Sequence, residues 1–172
     1  MNNVYLILGS NIDKEQNLPT AVAHLCELVE VVAVSSIYET IPVGLRDQAN
    51  FWNTAVHLQT QLSPTELKKE VLAVIEQKLE RVRQADKNAP RTIDLDIVLF
   101  NDEILDYDGG DGRFRHIPDP DLLKFAHVAV PIAELAPEMI HPETAESFST
   151  IADRLVQSNH TRVSPFIWKI SL

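Results

Sequence analysis

Apolar runs and turn residues alternate along the first hundred positions of the chain. Residues 4–8 form a continuous apolar run that stops at Gly9-Ser10-Asn11, which predicts a central strand followed by a turn. Residues 31–38 are rich in β-branched side chains and predict a second strand. Residues 51–58 and 92–100 predict a third and a fourth strand.

Two helices are predicted between these strands. Residues 19–28 carry apolar side chains at helical spacing. The second helix has a clear start, because Ser63 can cap it, Pro64 suits its first position and Glu66 completes a capping box. Its apolar stripe consists of Leu67, Val71, Val74, Ile75 and Leu79.

The resulting order is β-α-β-β-α-β, which is typical of an α+β, ferredoxin-like fold. That fold has a four-stranded antiparallel sheet with helices on one face. Residues 39–50 are expected to form a long loop, and the glycine-containing residues 106–115 a mobile one. The residues after 115 predict a C-terminal extension of short helices with a last strand at 166–170. We expect one domain over residues 1–172.

The fourth predicted strand carries two carboxylates on one face. Because strand side chains alternate, Asp94 and Asp96 share a face with Thr92 and Val98, whereas the opposite face should pack on the helices. That buried face is expected to hold Ile93, Leu95, Ile97 and Leu99. The α-carbons of the two aspartates should lie roughly 6–7 Å apart. This spacing suits Mg²⁺, which takes few carboxylates plus waters and phosphates. The alternative is two exposed strand aspartates.

Charge is distributed unevenly along the chain. The 172 residues include 15 Lys and Arg and 25 Asp and Glu, a formal net charge of −10, which disfavours general binding to nucleic acid or anionic membranes. Residues 81–91 nevertheless carry four basic side chains and one acid. Arginine forks fit phosphate oxygens, so this stretch beside the two aspartates indicates phosphoryl-type transfer. A solvated basic loop is the alternative.

Other chemistries find less support in the sequence. A single cysteine, Cys26, excludes an intramolecular disulfide and a cysteine zinc cluster. No phosphate-binding Gly-rich loop is present, and the six histidines show no zinc spacing. The opening apolar run is too short for a secretory or membrane segment, so we expect a cytoplasmic protein.

Several motifs together identify a resemblance. The chain resembles the 6-hydroxymethyl-7,8-dihydropterin pyrophosphokinases of folate biosynthesis over roughly residues 4–142. The segment Arg91-Thr92-Ile93-Asp94-Leu95-Asp96-Ile97 after Arg81-Val82-Arg83 is the most specific part, and the Gly-Ser-Asn opening adds weight. The matching segments are residues 5–11, 35–40, 50–56, 81–83, 90–100, 117–118 and 130–131.

The resemblance implies that pyrophosphate passes from ATP to the hydroxymethyl group of a reduced pterin, releasing AMP, with two Mg²⁺ ions. It implies metal binding by Asp94 and Asp96. It implies charge neutralisation on the transferring group by Arg81 and Arg91, with Arg83 on a closing lid loop. We expect a monomer whose partners are ATP and the pterin.

The resemblance also implies substrate contacts. Asn53 resembles the family's pterin-binding asparagine, and Thr40 and Val43 the loop positions whose backbone meets the pterin edge. Phe51 and His127 fall where two aromatic rings sandwich the pterin. Glu76 resembles the family's glutamate near the adenosine. Arg115 and His116 are expected to join it in binding ATP, because they are basic residues close to the phosphate-binding position.

The chain departs from the family pattern at four positions. Asn88 replaces a frequent lid tryptophan, and Asp119 a phosphate-binding histidine. Phe125 replaces an arginine, although Lys124 is adjacent, and His127 replaces a phenylalanine. An acid is unfavourable where phosphate binds, and Arg113, Arg115 and His116 lie just upstream, where they could compensate. A metal-dependent phosphohydrolase and a non-catalytic pterin- or nucleotide-binding paralogue therefore remain alternatives.

Overall fold

The structure is a computed structural model that describes residues 1–42, 47–82, 89–158 and 164–166. The strands are β1 (Asn2–Ser10), β2 (Glu30–Val34), β3 (Ile37–Thr40), β4 (Phe51–Thr60), β5 (Asp94–Phe100), β6 (Leu105–Asp108), β7 (Phe114–Ile117) and β8 (Ser164–Phe166). The helices are α1 (Lys14–Leu28), α2 (Pro64–Glu66), α3 (Ala73–Lys78), α4 (Ala126–Leu135) and α5 (Phe148–Ser158). A π-helical segment, Leu67–Leu72, joins α2 to α3, and a 3₁₀ turn, Pro120–Leu123, precedes α4.

An antiparallel sheet lies at the centre of this mixed α and β fold. Its strands follow the order β5-β1-β4-β3-β8, and β2 also pairs with β4. The predicted strand 31–38 is therefore two strands. The break lies at Ser35, whose N–H donates to the carbonyl of Ala55 while its hydroxyl accepts the N–H of Ala55. A side chain thus replaces one backbone partner of β4 at this point.

Helices cover both faces of the sheet, which corrects the prediction of helices on one face. One face packs against α1, the π-helical segment and α3 around Leu6, Leu25 and Leu72. The other face packs against α4 and α5 around Tyr5, Ala129 and Phe148. The predicted C-terminal extension thus supplies the second layer, and no helix of the described ranges is long and apolar enough to cross a membrane.

A β-bulge changes the predicted alternation in β5. Tyr5 pairs with Leu99 but Leu6 pairs with Ile97, so Val98 is an extra residue without a partner in β1. Leu99 consequently lies with Tyr5 in the core under α4 and α5, not on the face of Ile97 as predicted. Asp94 and Asp96 precede the bulge and keep their predicted common face.

Element boundaries differ from the predictions in three further places. The first helix begins at Lys14, before the predicted start at Pro19, which lies inside the helix. Residues 106–115 are not a loop, because β6 and β7 form a hairpin whose connection places Gly110 and Gly112 at positive φ. The capping box at Ser63 and Glu66 is confirmed. A final strand is present at Ser164–Phe166, and residues 167–170 lie outside the described ranges.

Candidate active site

A cavity of about 300 Å³ opens on the sheet face that α4 covers. It brings together seven of the residues that the sequence and the resemblance singled out, from four separate parts of the chain. These are Thr40, Phe51, Asn53, Arg91, Asp94, Asp96 and His127. The fold therefore brings these seven residues to one cavity.

Strand pairing explains why the polar groups converge. Gly9 of β1 lies opposite Asp94 on one side and opposite Asn53 on the other. Residues paired across an antiparallel sheet point to the same face. A β-carbon at Gly9 would lie 3.1 Å from Oδ1 of Asn53, tighter than ordinary van der Waals contact. The missing side chain at Gly9 thus makes room for Asn53 in the cavity wall.

The two aspartates form a crowded anionic pair. Arg91 donates through a terminal guanidinium nitrogen to Oδ2 of Asp94, and Nζ of Lys68 lies 3.5 Å from Oδ1 of Asp96. Burial, and next the charge of Asp96, raise the pKa of Asp94 above its ordinary value. A cation bound between two such carboxylates would relieve the repulsion between their charges.

The donor set fits Mg²⁺ better than a transition metal. Both candidate ligands are carboxylates, and the described ranges contain no group of three or more His, Cys, Asp or Glu side chains able to hold an ion alone. Mg²⁺ commonly takes one or two carboxylates and completes its shell with waters and substrate phosphates. Asp94 and Asp96 are thus chemically suited to such an ion.

Flat and amide groups line the remainder of the cavity. Asn53 donates through Nδ2 to the hydroxyl of Thr40 over 2.9 Å. The guanidinium carbon of Arg91 lies 5.6 Å from the ring centre of Phe51. The rings of Phe125 and His127 stack with centroids 5.2 Å apart. Burial lowers the pKa of His127, so its imidazole is neutral at neutral pH. This wall suits a flat heterocycle with hydrogen-bonding edges.

Two further acids, Asp119 and Asp121, also line the cavity. The side chain of Asp119 accepts the backbone N–H of Asp121 over 2.8 Å. Burial raises the pKa of Asp119 to about 6. Sequence reasoning singled out Asp119 as a departure but missed Asp121, whose position in the 3₁₀ turn carries no local signal.

A second, more open groove of about 780 Å³ lies on the other side of β5. Its lining includes two more of the predicted residues, Glu76 and Arg81, beside Lys69 and Gly110. Glu76 is buried, and its Oε1 accepts both the N–H of Leu95 and a bond from Lys68, each over 3.1 Å. Glu76 therefore connects this groove to the strand that carries the two aspartates.

The hairpin residues Arg115 and His116 point in different directions. Arg115 makes two bonds to the carboxylate of Asp111, a residue of the second groove. His116 lies between Asp106, 2.7 Å from Nδ1, and Glu143, 3.2 Å from Nε2. These two carboxylates raise the pKa of His116.

The structure does not bring His116 to either cavity, so its predicted contact with ATP stays a prediction. Three other predicted positions, Val43, Arg83 and Asn88, lie outside the described residues.

The sequence of the chain matches a family of known enzymes. A sequence model of the 7,8-dihydro-6-hydroxymethylpterin-pyrophosphokinase (HPPK) family matches residues 5–137. The chain belongs to the HPPK family. A 2-amino-4-hydroxy-6-hydroxymethyldihydropteridine pyrophosphokinase of Bacillus subtilis is 44% identical over 143 residues, with 81% of each chain covered. One of Aquifex aeolicus is 34% identical over 143 residues, with 83% of this chain and 85% of the relative covered.

Solved structures support the same fold. An HPPK-DHPS crystal structure from Plasmodium falciparum superposes with a TM-score of 0.70 at 15% identity. The alignment covers 91% of this chain but 44% of that one, so this chain spans less than half of the structural relative. A match at this identity supports the fold alone.

HPPK family membership confirms the predicted enzyme class and reaction. The chain is an ATP-dependent pyrophosphokinase that acts on a hydroxymethyl-dihydropterin, with ATP as co-substrate.

Proposed function

We propose that the 300 Å³ cavity is where pyrophosphate passes from ATP to the hydroxymethyl group of 6-hydroxymethyl-7,8-dihydropterin, releasing AMP. One observation carries this proposal. The Asp94–Asp96 pair and Arg91 open into the same cavity as the amide of Asn53 and two flat side chains, Phe51 and His127. Groups that suit a polyphosphate and groups that suit a pterin thus line one space.

Binding of the pterin is assigned to the wall of the cavity lined by Thr40, Phe51, Asn53 and His127. The side-chain amide of Asn53 offers a donor and an acceptor to the edge of the heterocycle, and the backbone of Thr40 lies next to it. Phe51 and His127 supply the two faces of the sandwich. A neutral His127 can stack without placing a positive charge against the ring. The proposed backbone contact of Val43 belongs to the same wall.

The polyphosphate is assigned to the aspartate side of the cavity. We propose that Asp94 and Asp96 hold two Mg²⁺ ions, which would neutralise charge on the phosphate oxygens when bound. Arg91 lies between Asp94 and Phe51, a position from which its guanidinium can reach the transferring group. The hydroxymethyl oxygen forms a bond to the β-phosphorus and releases its proton to solvent, while the bond from that phosphorus to the bridging oxygen of AMP breaks.

The nucleoside end of ATP is assigned to the second groove. Glu76 and Arg81 line this groove. Arg115 is bonded to Asp111, which also lines it. Arg81 is proposed to neutralise phosphate charge from this side, with Arg83 and His116 assisting after a change of conformation. We further propose a cytoplasmic monomer with a single, elaborated ferredoxin-like domain, which the strand order β5-β1-β4 followed by β2 and β3 supports.

Product analysis tests the proposed reaction. Incubation with ATP, Mg²⁺ and 6-hydroxymethyl-7,8-dihydropterin should yield AMP and the pterin diphosphate in equal amounts, measured by mass spectrometry. Asp94→Asn should lower turnover by at least about 100-fold because the transfer relies on positioning and charge neutralisation. Asp102→Asn, at an exposed position outside the cavity, is the matched control. Formation of ADP, or loss of ATP without pterin, would contradict the proposal.

A further inference from the structure

Lys68 is among the largest fully buried side chains of the described residues, with a relative exposure of 1%. Lysine is almost never buried unless it is paired. The π-helical segment widens the turn, so Leu67, Lys68, Val71 and Leu72 are all buried against the core. Single π turns of this kind are frequent at functional sites.

The ammonium group of Lys68 contacts three oxygens around β5. It donates to Oε1 of Glu76 over 3.1 Å and to the backbone carbonyl of Leu95. It also lies 3.5 Å from Oδ1 of Asp96. Glu76 in turn accepts the backbone N–H of Leu95 over 3.1 Å. The buried ion pair therefore bonds both backbone polar groups of a single residue.

That residue, Leu95, separates the two candidate metal ligands. Among the described strands, β5 is the last one of the sheet on this side, and its outer edge pairs with no other strand of that set. An unpaired strand edge needs hydrogen-bond partners when it is buried. Lys68 and Glu76 provide these partners at the position between Asp94 and Asp96. Hydrogen bonds from Lys68 and Glu76 on the outer edge of β5 thus fix the backbone that sets the spacing of the two carboxylates.

We propose that Lys68 is a positioning residue for pyrophosphoryl transfer, which holds Asp94 and Asp96 in place through Leu95 and through its contact with Asp96. This inference rests on the proposed function of the cavity. Stability alone does not account for a buried ion pair, since apolar residues of similar size often serve a core as well or better. Groups behind metal ligands commonly orient them, and their loss weakens metal binding about 10- to 100-fold.

Three variants test the role of Lys68. Lys68→Met removes the charge and keeps the length, Lys68→Arg keeps the charge, and Lys78→Met makes the same substitution at an exposed site on α3. We expect Lys68→Met to lower kcat by about 10- to 100-fold while KM for the pterin changes less than about twofold. Lys68→Arg should recover at least a third of the lost activity, and Lys78→Met should match the parent.

Metal binding supplies a readout that does not depend on turnover. Mn²⁺ is titrated by electron paramagnetic resonance in the presence of a non-hydrolysable ATP analogue. Lys68→Met should weaken Mn²⁺ binding about 10- to 100-fold. If Lys68 acted only as a nearby charge, its removal would strengthen Mn²⁺ binding, because a competing cation would leave Asp96. Unchanged or tighter Mn²⁺ binding would overturn the proposal.

A second pair of variants covers the case in which Lys68→Met does not fold, since it leaves Glu76 without its buried counter-ion. Lys68→Met with Glu76→Gln removes both charges, and Glu76→Gln alone is its reference. The double variant should bind Mn²⁺ at least about tenfold more weakly than the reference at a similar Tm. Equal Mn²⁺ affinity and kcat in the two proteins would refute positioning. Absence of AMP from the parent enzyme would instead refute the proposed function.

Discussion

At the scale of single residues, Asp119 carries a charge that the fold disfavours. Its pKa is raised to about 6 by burial, above the ordinary value of an unfolded chain. The folded state therefore binds this proton more tightly than the unfolded state. The resulting stabilisation is present below about pH 4 and is lost as the pH rises through about 6.

Asp119→Asn should consequently stabilise the protein in a pH-dependent way. Asparagine can still accept the N–H of Asp121 but cannot ionise. We expect the free energy of unfolding to rise by about 1–3 kcal/mol at pH 8 and by less than about 1 kcal/mol at pH 4. Urea unfolding at both pH values measures this. Asp102→Asn, at an exposed site, is the control, and an equal gain at both pH values would contradict the explanation.

The aspartate pair was predictable from sequence because it depends on local geometry. Alternation along a strand places Asp94 and Asp96 on one face, and nothing between them disturbs it. The burial of Lys68 was not predictable, because it depends on a π turn that the apolar stripe does not reveal. Strict alternation puts Leu99 on the wrong face, because the bulge at Val98 arises from pairing with β1.

At the scale of elements, α4 is bonded to the break between β2 and β3. Both carboxylate oxygens of Glu134 accept the N–H of Ser36 over 3.0 Å, and the hydroxyl of Ser36 donates to Oε1. The hydroxyl of Tyr38 donates to Oε2 over 2.7 Å. One side chain thus connects the helix that carries His127 with the strand that carries Thr40.

Glu134→Ala should weaken this connection measurably. Loss of hydrogen bonds to a charged group costs about 1–3 kcal/mol, and the exposed position of Glu134 favours the lower half of that range. Thermal unfolding should show a lower Tm, and pterin affinity should fall because both walls of the cavity loosen. Glu138→Ala removes another exposed glutamate shortly beyond α4 and should leave Tm and pterin affinity unchanged. Equal effects of the two variants would argue against a specific connection.

Sequence patterns predict the type of most elements in the first hundred residues. They fail where contacts with distant parts of the chain determine the structure. The capping box at Ser63 is local and was predicted, whereas the split of residues 31–38 follows from the hydroxyl of Ser35 bonding β4. The sequence predicts a loop in place of the β6–β7 hairpin, because the glycines mark only its turn and short strands carry little periodic signal.

At the scale of the whole molecule, the second helical layer shapes the cavity. The β-α-β-β-α-β order predicted the antiparallel sheet and the helices of one face. It could not assign α4 and α5 to the other face, because their apolar residues identify a buried side but not its partner. That layer brings His127 and Phe125 over the sheet and closes the cavity.

The charge of the molecule leads us to expect that nucleotide binding depends on a divalent cation. The chain carries a formal charge of −10, and the cavity lining includes four aspartates, at 94, 96, 119 and 121, with Arg91 as the one Lys or Arg among the described lining residues. Each unscreened pair of like charges at contact costs about 1–4 kcal/mol. A free polyphosphate therefore meets repulsion that Arg91 alone does not offset.

Removal of Mg²⁺ should thus change the affinity for ATP but not the affinity for the pterin. With a chelator present, calorimetry should show that a non-hydrolysable ATP analogue binds at least about tenfold more weakly, since one uncompensated contact costs roughly that factor. The pterin carries no phosphate, so its affinity in the absence of nucleotide should change by less than about twofold. Added NaCl should recover part of the analogue's affinity by screening. Equal analogue affinity with and without Mg²⁺ would show that arginines hold the polyphosphate, and parallel loss of both ligands would indicate that the cation maintains the fold of the cavity.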